Sequence, residues 1–264
     1  MSAPSSAKML EVSQDAARAA GRVLLKYFGK KIQVREKQGA GLVTQADLEA
    51  ENAALAVLRR GLPDFGVLSE EAGILPAKNS GRFIIDPLDG TTNFVHGFPM
   101  FCVSIAAEWD GELKAGVIYH PVLDETYTAI KSKGAKLDGK KIQVSKTKLI
   151  ENSLLTTGFT YRKDDWLRKE MRAFEELSRQ TRALRRPGSA ALDLAYTARG
   201  VFDGFWERRL SPWDVAAGAL LVEEAGGKVT DFQGKKFKVD AGELLASNAN
   251  LHARLLSVIS GSLR

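Results

Sequence analysis

Asp86 and Asp89 stand three residues apart in the segment Ile84-Ile85-Asp86-Pro87-Leu88-Asp89-Gly90-Thr91-Thr92-Asn93, where Gly-Thr-Thr follows the second acid directly. Two carboxylates brought to ~4 Å repel by ~4 kcal/mol at an effective dielectric of ~20, so such a pair calls for a cation or a shared proton. Gly90 admits close backbone approach, and its amide, with those of Thr91 and Thr92, can open a helix toward an anion. The chemistry suggested is that of a site for cations and phosphate. Arg82 to Ile85 reads as a short buried strand, and Pro87 is expected to end its pairing and turn the chain so that the two acids converge. The same letters also make good turn chemistry with Asp89 as a helix N-cap, and the motif alone does not choose.

Three further acidic segments have comparable settings. Ser69-Glu70-Glu71-Ala72-Gly73 ends a short strand with paired glutamates, a poor arrangement unless something positive sits there. Ser211-Pro212-Trp213-Asp214 starts a helix with Ser211 as N-cap and Pro212 at its first position, which puts Asp214 in the first turn. Asp214 taken singly would serve the helix dipole, and Asp47, just after Thr44, would likewise be an early-helix acid. His96 lies beside the first motif but reads as packing or support, because a hard-cation site seldom takes imidazole, and His120 and His252 carry no assignment. The single cysteine, Cys102, lies in the apolar run Phe101 to Ile105, excludes an intrachain disulfide, and reads as a small core residue.

The elements that must position these acids follow from periodicity. Lys8 to Phe28 and Asp47 to Arg60 repeat apolar residues at helical spacing and are stopped by Gly29 and by Gly61-Leu62-Pro63. Lys37 to Thr44 between them reads as a loop of small residues. Strands are expected at Gly66 to Ser69, Arg82 to Asp86, Phe101 to Trp109, Glu112 to His120 and Glu125 to Ile130, with Asp110-Gly111 a hairpin turn. Beyond Asn152, strands at Leu154 to Thr157, Phe202 to Trp206 and Lys228 to Thr230 alternate with helices over Trp166 to Arg179, Ser189 to Ala198, Pro212 to Ala225 and Asn250 to Ile259. Sheets covered by helices in both halves are the expectation, as one domain over 1–264 with lobes of about 1–147 and 148–264.

At 264 residues and 44% hydrophobic, the chain can bury a sizeable core. It has no run of 18 or more apolar residues and no signal-peptide pattern, so a cytoplasmic protein without a membrane partner is expected. The net charge of +6 favours anions. Its excess is local, from Lys131 to Lys148 and at Arg179, Arg182, Arg185 and Arg186. Lysine-rich turns are usually solvated surface, so nucleic acid or protein as a partner is weakly supported.

Together these segments resemble the inositol monophosphatase family, within the magnesium-dependent, lithium-sensitive sugar phosphatases. The resemblance runs through Val43-Thr44-x-x-Asp47, Glu70-Glu71, Asp86 to Phe94, Gly188-Ser189-Ala190-Ala191, Glu207, and Trp213-Asp214-Val215-Ala216-Ala217-Gly218, in order and without large insertion. It implies an α+β layered sandwich (αβαβα) and a homodimer. It also implies two to three Mg²⁺ per subunit: Glu70, Asp86 and the Leu88 carbonyl for one, Asp86, Asp89 and Asp214 for a second, and a weaker third near Glu70. Thr91, hydrogen-bonded toward Asp47, would work with Glu70 to orient and deprotonate the attacking water. The amides of Gly90 and Thr91, beside Thr92, would cradle the phosphate. Asp89, the backbone near Ala190, Glu207 and Asp214 would contact substrate hydroxyls, and Lys37 fits the family's loop lysine. The expected activity is hydrolysis of a small-molecule phosphate ester, inositol 1-phosphate first, with related sugar, nucleotide or histidinol phosphates as alternatives.

Two other readings remain. Haloacid-dehalogenase phosphatases carry a similar Asp-x-Asp-Gly-Thr with a nucleophilic first Asp, but here the acids are at i and i+3, and Glu70 and Asp214 would go unexplained. A phosphatase-like fold that binds RNA or protein through its basic surface would have little reason to keep so many acids together.

Overall fold

A computed structural model describes residues 3–37, 41–159 and 164–262. Helix α1 (Ser6–Tyr27) is capped by Ser5, whose side chain accepts from the Lys8 amide, and helix α2 (Gln45–Gly61) by Thr44. The expected loop between them is instead a hairpin of β1 (Val34–Lys37) and β2 (Gly41–Thr44), with Val34 opposite Thr44. Strand geometry holds there because β2 runs straight into the extended N-cap of α2.

Eight strands form the first sheet: β3 (Gly66–Ser69), β4 (Gly73–Leu75), β5 (Gly81–Asp89), β6 (Cys102–Trp109), β7 (Glu112–His120), β8 (Glu125–Ile130), β9 (Gly134–Leu137) and β10 (Lys140–Lys141), in the order β10-β9-β8-β7-β6-β5-β3-β4. The expected turn at Asp110-Gly111 joins β6 to β7, both residues having positive φ as a tight hairpin requires. Between β5 and β6 sits α3 (Thr91–Val95). A second sheet has the order β12-β11-β13-β15-β14, built from β11 (Leu154–Thr157), β12 (Ala183–Arg185), β13 (Gly204–Arg208), β14 (Gly227–Thr230) and β15 (Glu243–Asn248). Its helices are α4 (Asp165–Gln180), α5 (Ala190–Ala198), α6 (Pro212–Glu224) and α7 (His252–Ser262).

Alternation along the strands divides the core into three and so stacks the layers. Phe83, Ile85, Val103, Ile105 and Ala107 face α1 and α2, whereas Ile84, Cys102 and Ala106 face the opposite way, onto α5 and α6. In β13, Phe205 joins that middle layer, while Trp206 turns to the outer side with Leu177 of α4 and Leu255 and Ile259 of α7. The resulting order is helix pair, eight-stranded sheet, helix pair, five-stranded sheet, helix pair, the expected αβαβα sandwich. The middle helices are apolar on nearly every face, as a layer buried on both sides must be.

The structure also departs from the sequence reading at Pro87 and at β15. Pro87 does not end the pairing: β5 continues to Asp89, because the proline's missing N–H falls in a bulge between the pairs Asp86–Ser104 and Asp89–Cys102. Strand β15, buried throughout, was not expected at all, since six residues without alternation carry no periodic signal. Among the described residues no helix is long and apolar enough to cross a membrane.

Candidate active site

The bulge after Asp86 does the first work of assembly. It turns the Leu88 amide off the ladder and onto Asp86 Oδ1 at 2.9 Å, which fixes a carboxylate in a residue only 2% exposed. Gly90 then reverses the chain as the N-cap of α3, at φ 94°. A Cβ there would lie 2.8 Å from the Met100 carbonyl oxygen, so only glycine fits. The N-cap of this helix is therefore Gly90, and Asp89 is released from the capping role that turn chemistry allowed it.

Asp89 is instead held by residues a hundred positions away. Its Oδ2 accepts from Ser189 Oγ at 2.6 Å and from the Ala191 amide at 2.7 Å, with the Cys102 thiol 3.9 Å distant. Ser189 also caps α5, whose first residue is Ala190. Asp214 is tied by a capping box, its Oδ2 accepting from the Ser211 amide at 2.6 Å. Each of these three acids thus has one oxygen tethered to a backbone amide, and a carboxylate's remaining lone pairs are left for other partners.

Their electrostatics follow from crowding. Loss of solvent pushes the Asp86 carboxyl well above the usual range, and Glu70, Asp89 and Asp214 push it further. Burial likewise lifts Asp89, to about 6 against the pull of Ser189 and Ala191, and lifts Asp214 well up, with Asp89 adding to it. Among the described residues no three His, Cys, Asp or Glu side chains form a finished metal cage. The acids act on one another through the field they share, which a divalent cation would relieve.

Asp47 and Thr91 meet beside this cluster. Asp47 is 1% exposed, and its Oδ2 accepts from the Thr44 amide at 2.8 Å and from Thr44 Oγ1 at 2.6 Å. Thr91 Oγ1 reaches Asp47 Oδ1 at 3.2 Å and the Leu88 carbonyl at 3.1 Å, so its one proton points into the scaffold. Burial, above all, raises the Asp47 carboxyl. Glu70 is half-buried after β3, and Thr92 is half-buried in α3. Glu207, on β13, is half-buried and its carboxyl is raised well up by desolvation and by Asp214, with Arg186 opposing. The Lys37 side chain lies outside the described residues. His96 is exposed and is not a packing residue, because it falls at the solvent end of the short α3.

Sequence reasoning assigned no supporting role to Glu51, Asn93 or Ser189. Glu51, one helical turn after Asp47 on the inward face of α2, accepts from Ser69 Oγ at 2.5 Å, the Glu71 amide at 3.2 Å and the Ala72 amide at 3.0 Å, and so shapes the turn that carries Glu70. A buried acid pair at i and i+4 was the available signal. Asn93 Nδ2 donates to the carbonyls of Met100 at 2.7 Å and Pro187 at 2.8 Å, joining the Asp89 loop to the approach of α5. No local signal pointed to that contact, nor to the bond from Ser189 to Asp89.

The layered sandwich and its acid cluster define a phosphatase, an enzyme that hydrolyses phosphate monoesters. Residues 5–263 match the family model described as the inositol monophosphatase family, and the chain belongs to that family. It is 43% identical over 258 residues to the Nus factor SuhB of Pseudomonas aeruginosa, covering 95% of each chain. It is 41% identical over 255 residues to the inositol-1-monophosphatase of Synechocystis sp., covering 96% of this chain and 89% of that one. Among solved structures, the extragenic suppressor protein suhB from Bartonella henselae superposes with a TM-score of 0.91 at 40% identity, covering 94% of this chain and 97% of that one.

Proposed function

We propose that the chain hydrolyses inositol 1-phosphate to myo-inositol and phosphate in a Mg²⁺-dependent reaction, with water as the nucleophile. The observation that carries this reading is the trio Asp86, Asp89 and Asp214, each tethered by a backbone amide and each raised by burial and then by neighbouring acids, in a chain of this family. Hard oxygen donors that repel one another suit Mg²⁺. Glu70, Asp86 and the Leu88 carbonyl would hold one ion, Asp86, Asp89 and Asp214 a second, and a third would sit near Glu70. Bound there, such ions neutralise the acids and stabilise charge developing on the phosphoryl group.

The chain's own residues do the rest. Thr91, its proton directed to Asp47 or Leu88, turns a lone pair outward to orient the attacking water. Glu70 accepts the proton that water loses as its oxygen bonds phosphorus. The ester P–O bond breaks with its electron pair on the alcohol oxygen, which takes a proton from a second water as the alcohol leaves, and the proton held by Glu70 returns to solvent. The amides of Gly90, Thr91 and Thr92 face the phosphate, and Lys37 would serve as the family's loop lysine. Asp89, the Ala190 backbone, Glu207 and Asp214 meet the alcohol's hydroxyls. The reading includes two lobes of about 1–147 and 148–264, a homodimer by family resemblance, and a cytoplasmic setting in keeping with one free, buried cysteine.

A panel of phosphate esters assayed with Mg²⁺ tests the proposal: inositol 1-phosphate should give the highest kcat/KM, and full activity in chelator would refute it. A second role, binding RNA or protein, is favoured by exposed Lys136, Lys140, Lys141, Lys146 and Lys148 along one sheet edge and beyond it, and by the name Nus factor given to the Pseudomonas relative. Edge lysines also block strand pairing. A salt-dependent mobility shift with RNA separates the two explanations.

A further inference from the structure

The carboxylate of Glu207 fills the space above Gly158. A Cβ on Gly158 would lie 2.1 Å from Glu207 Oε2, 2.2 Å from Cδ and 2.3 Å from Oε1. Gly158 is not among the glycines with positive φ, so its absent side chain serves packing and not backbone conformation.

The backbone on both sides of the contact is pinned. Thr157 pairs with Trp206 in the parallel ladder, Glu207 pairs with Leu244 on the other side of β13, and Thr157 Oγ1 donates to the Trp206 carbonyl at 2.6 Å. Phe159, immediately after Gly158, rests on Phe174 with ring centroids 5.6 Å apart. The part free to yield is the end of the glutamate side chain. A carboxylate pushed from this position moves in a field set by Asp214, Asp89 and Glu170 against the cation Arg186.

We infer that Gly158 is a specificity-determining position, whose missing side chain seats the Glu207 carboxylate where it can accept a hydrogen bond from a hydroxyl of a polyhydroxylated alcohol ester. The inference rests on the reading of Glu207 as a contact to the substrate's alcohol portion. Gly158 itself touches no reacting atom and acts through Glu207.

The experiment is a double-mutant cycle of Gly158→Ala and Glu207→Ala, read as the ratio of kcat/KM for inositol 1-phosphate to that for p-nitrophenyl phosphate, with thermal unfolding as the control for folding. Gly158→Ala should fold and lower the ratio about tenfold or more, the usual worth of a charge-assisted hydrogen bond. Added to Glu207→Ala it should change the ratio no further, because the side chain it displaces is gone. A wild-type ratio in Gly158→Ala, alongside a lowered one in Glu207→Ala, overturns the seat while leaving the Glu207 reading intact. A wild-type ratio in Glu207→Ala overturns that reading and the inference with it. Equal losses from Gly158→Ala in both backgrounds, or its failure to fold, would show that the backbone takes the collision, and would overturn the inference.

Discussion

Replacing Asp89 with asparagine should stabilise the metal-free protein while removing its activity. In the folded chain the Asp89 carboxyl is held at about 6, chiefly by burial, whereas an unfolded aspartate titrates near ~3.9. Ionising it in place costs about 3 kcal/mol at pH values above both. Because the folded value is the higher one, the cost is absent below ~4, develops as pH rises toward 6 and is complete above it. Asparagine presents a carbonyl oxygen to Ser189 Oγ and the Ala191 amide in place of Oδ2, and never ionises. Since neighbouring acids share the repulsion, the gain at about pH 8 should be about 1–3 kcal/mol, or roughly 2–8 °C in Tm for a chain of this size. Urea or thermal unfolding in chelator at about pH 8 and about pH 4 reads it directly, and the gain should nearly vanish at the lower pH. Saturating Mg²⁺ should reverse the order, stabilising the wild type and not the variant, by linkage. An Asp89→Asn protein no more stable than wild type in chelator at the higher pH, or a gain independent of pH, would refute this account of the cluster.

Other outcomes follow from the same geometry. Asp86→Asn should remain folded and lose more than roughly nine-tenths of turnover at saturating Mg²⁺, since the carboxylate assigned to both ions is gone; a folded, active variant would sink the assignment. Activity should require Mg²⁺, fall with excess Ca²⁺, whose looser coordination misplaces reactants, and be inhibited by Li⁺ by family resemblance, as steady-state assays in chelated and re-supplemented buffer would show. Thr91→Ala should depress kcat for every ester tested. Glu207→Gln should instead lower kcat/KM for inositol 1-phosphate by about 1–3 kcal/mol, with a smaller change for an aryl phosphate; equal losses on all substrates would move Glu207 into the chemical apparatus.

How far the sequence reaches is clearest at single residues. Thr44 with Asp47 and Ser211 with Asp214 are capping boxes whose partners lie three residues apart, so local chemistry announces both the helix starts and the acids in their first turns. The bounds of β3, β7, β8 and β11 could be read residue for residue because apolar runs there stop at turn chemistry. Pro87 shows the limit of such rules: the proline argues locally for a strand end, yet tertiary pairing with β6 carries β5 past it by absorbing the extra residue in a bulge.

The acid types, their order and their spacing were determined by the sequence alone, together with the helices and most strands that carry them, because hydrophobic period, caps and turns are short-range properties. The tertiary structure decided which acids act on which. Ser189 meets Asp89 only when the middle helix layer docks against the first sheet, Asn93 reaches Pro187 across the same seam, and Glu207 finds its place over Gly158 only once β11 and β13 lie side by side. Raised carboxyls at Asp86, Asp89 and Asp214 have the same origin, since desolvation and mutual repulsion depend on what the folded chain brings close and shields from water, and no local pattern encodes either.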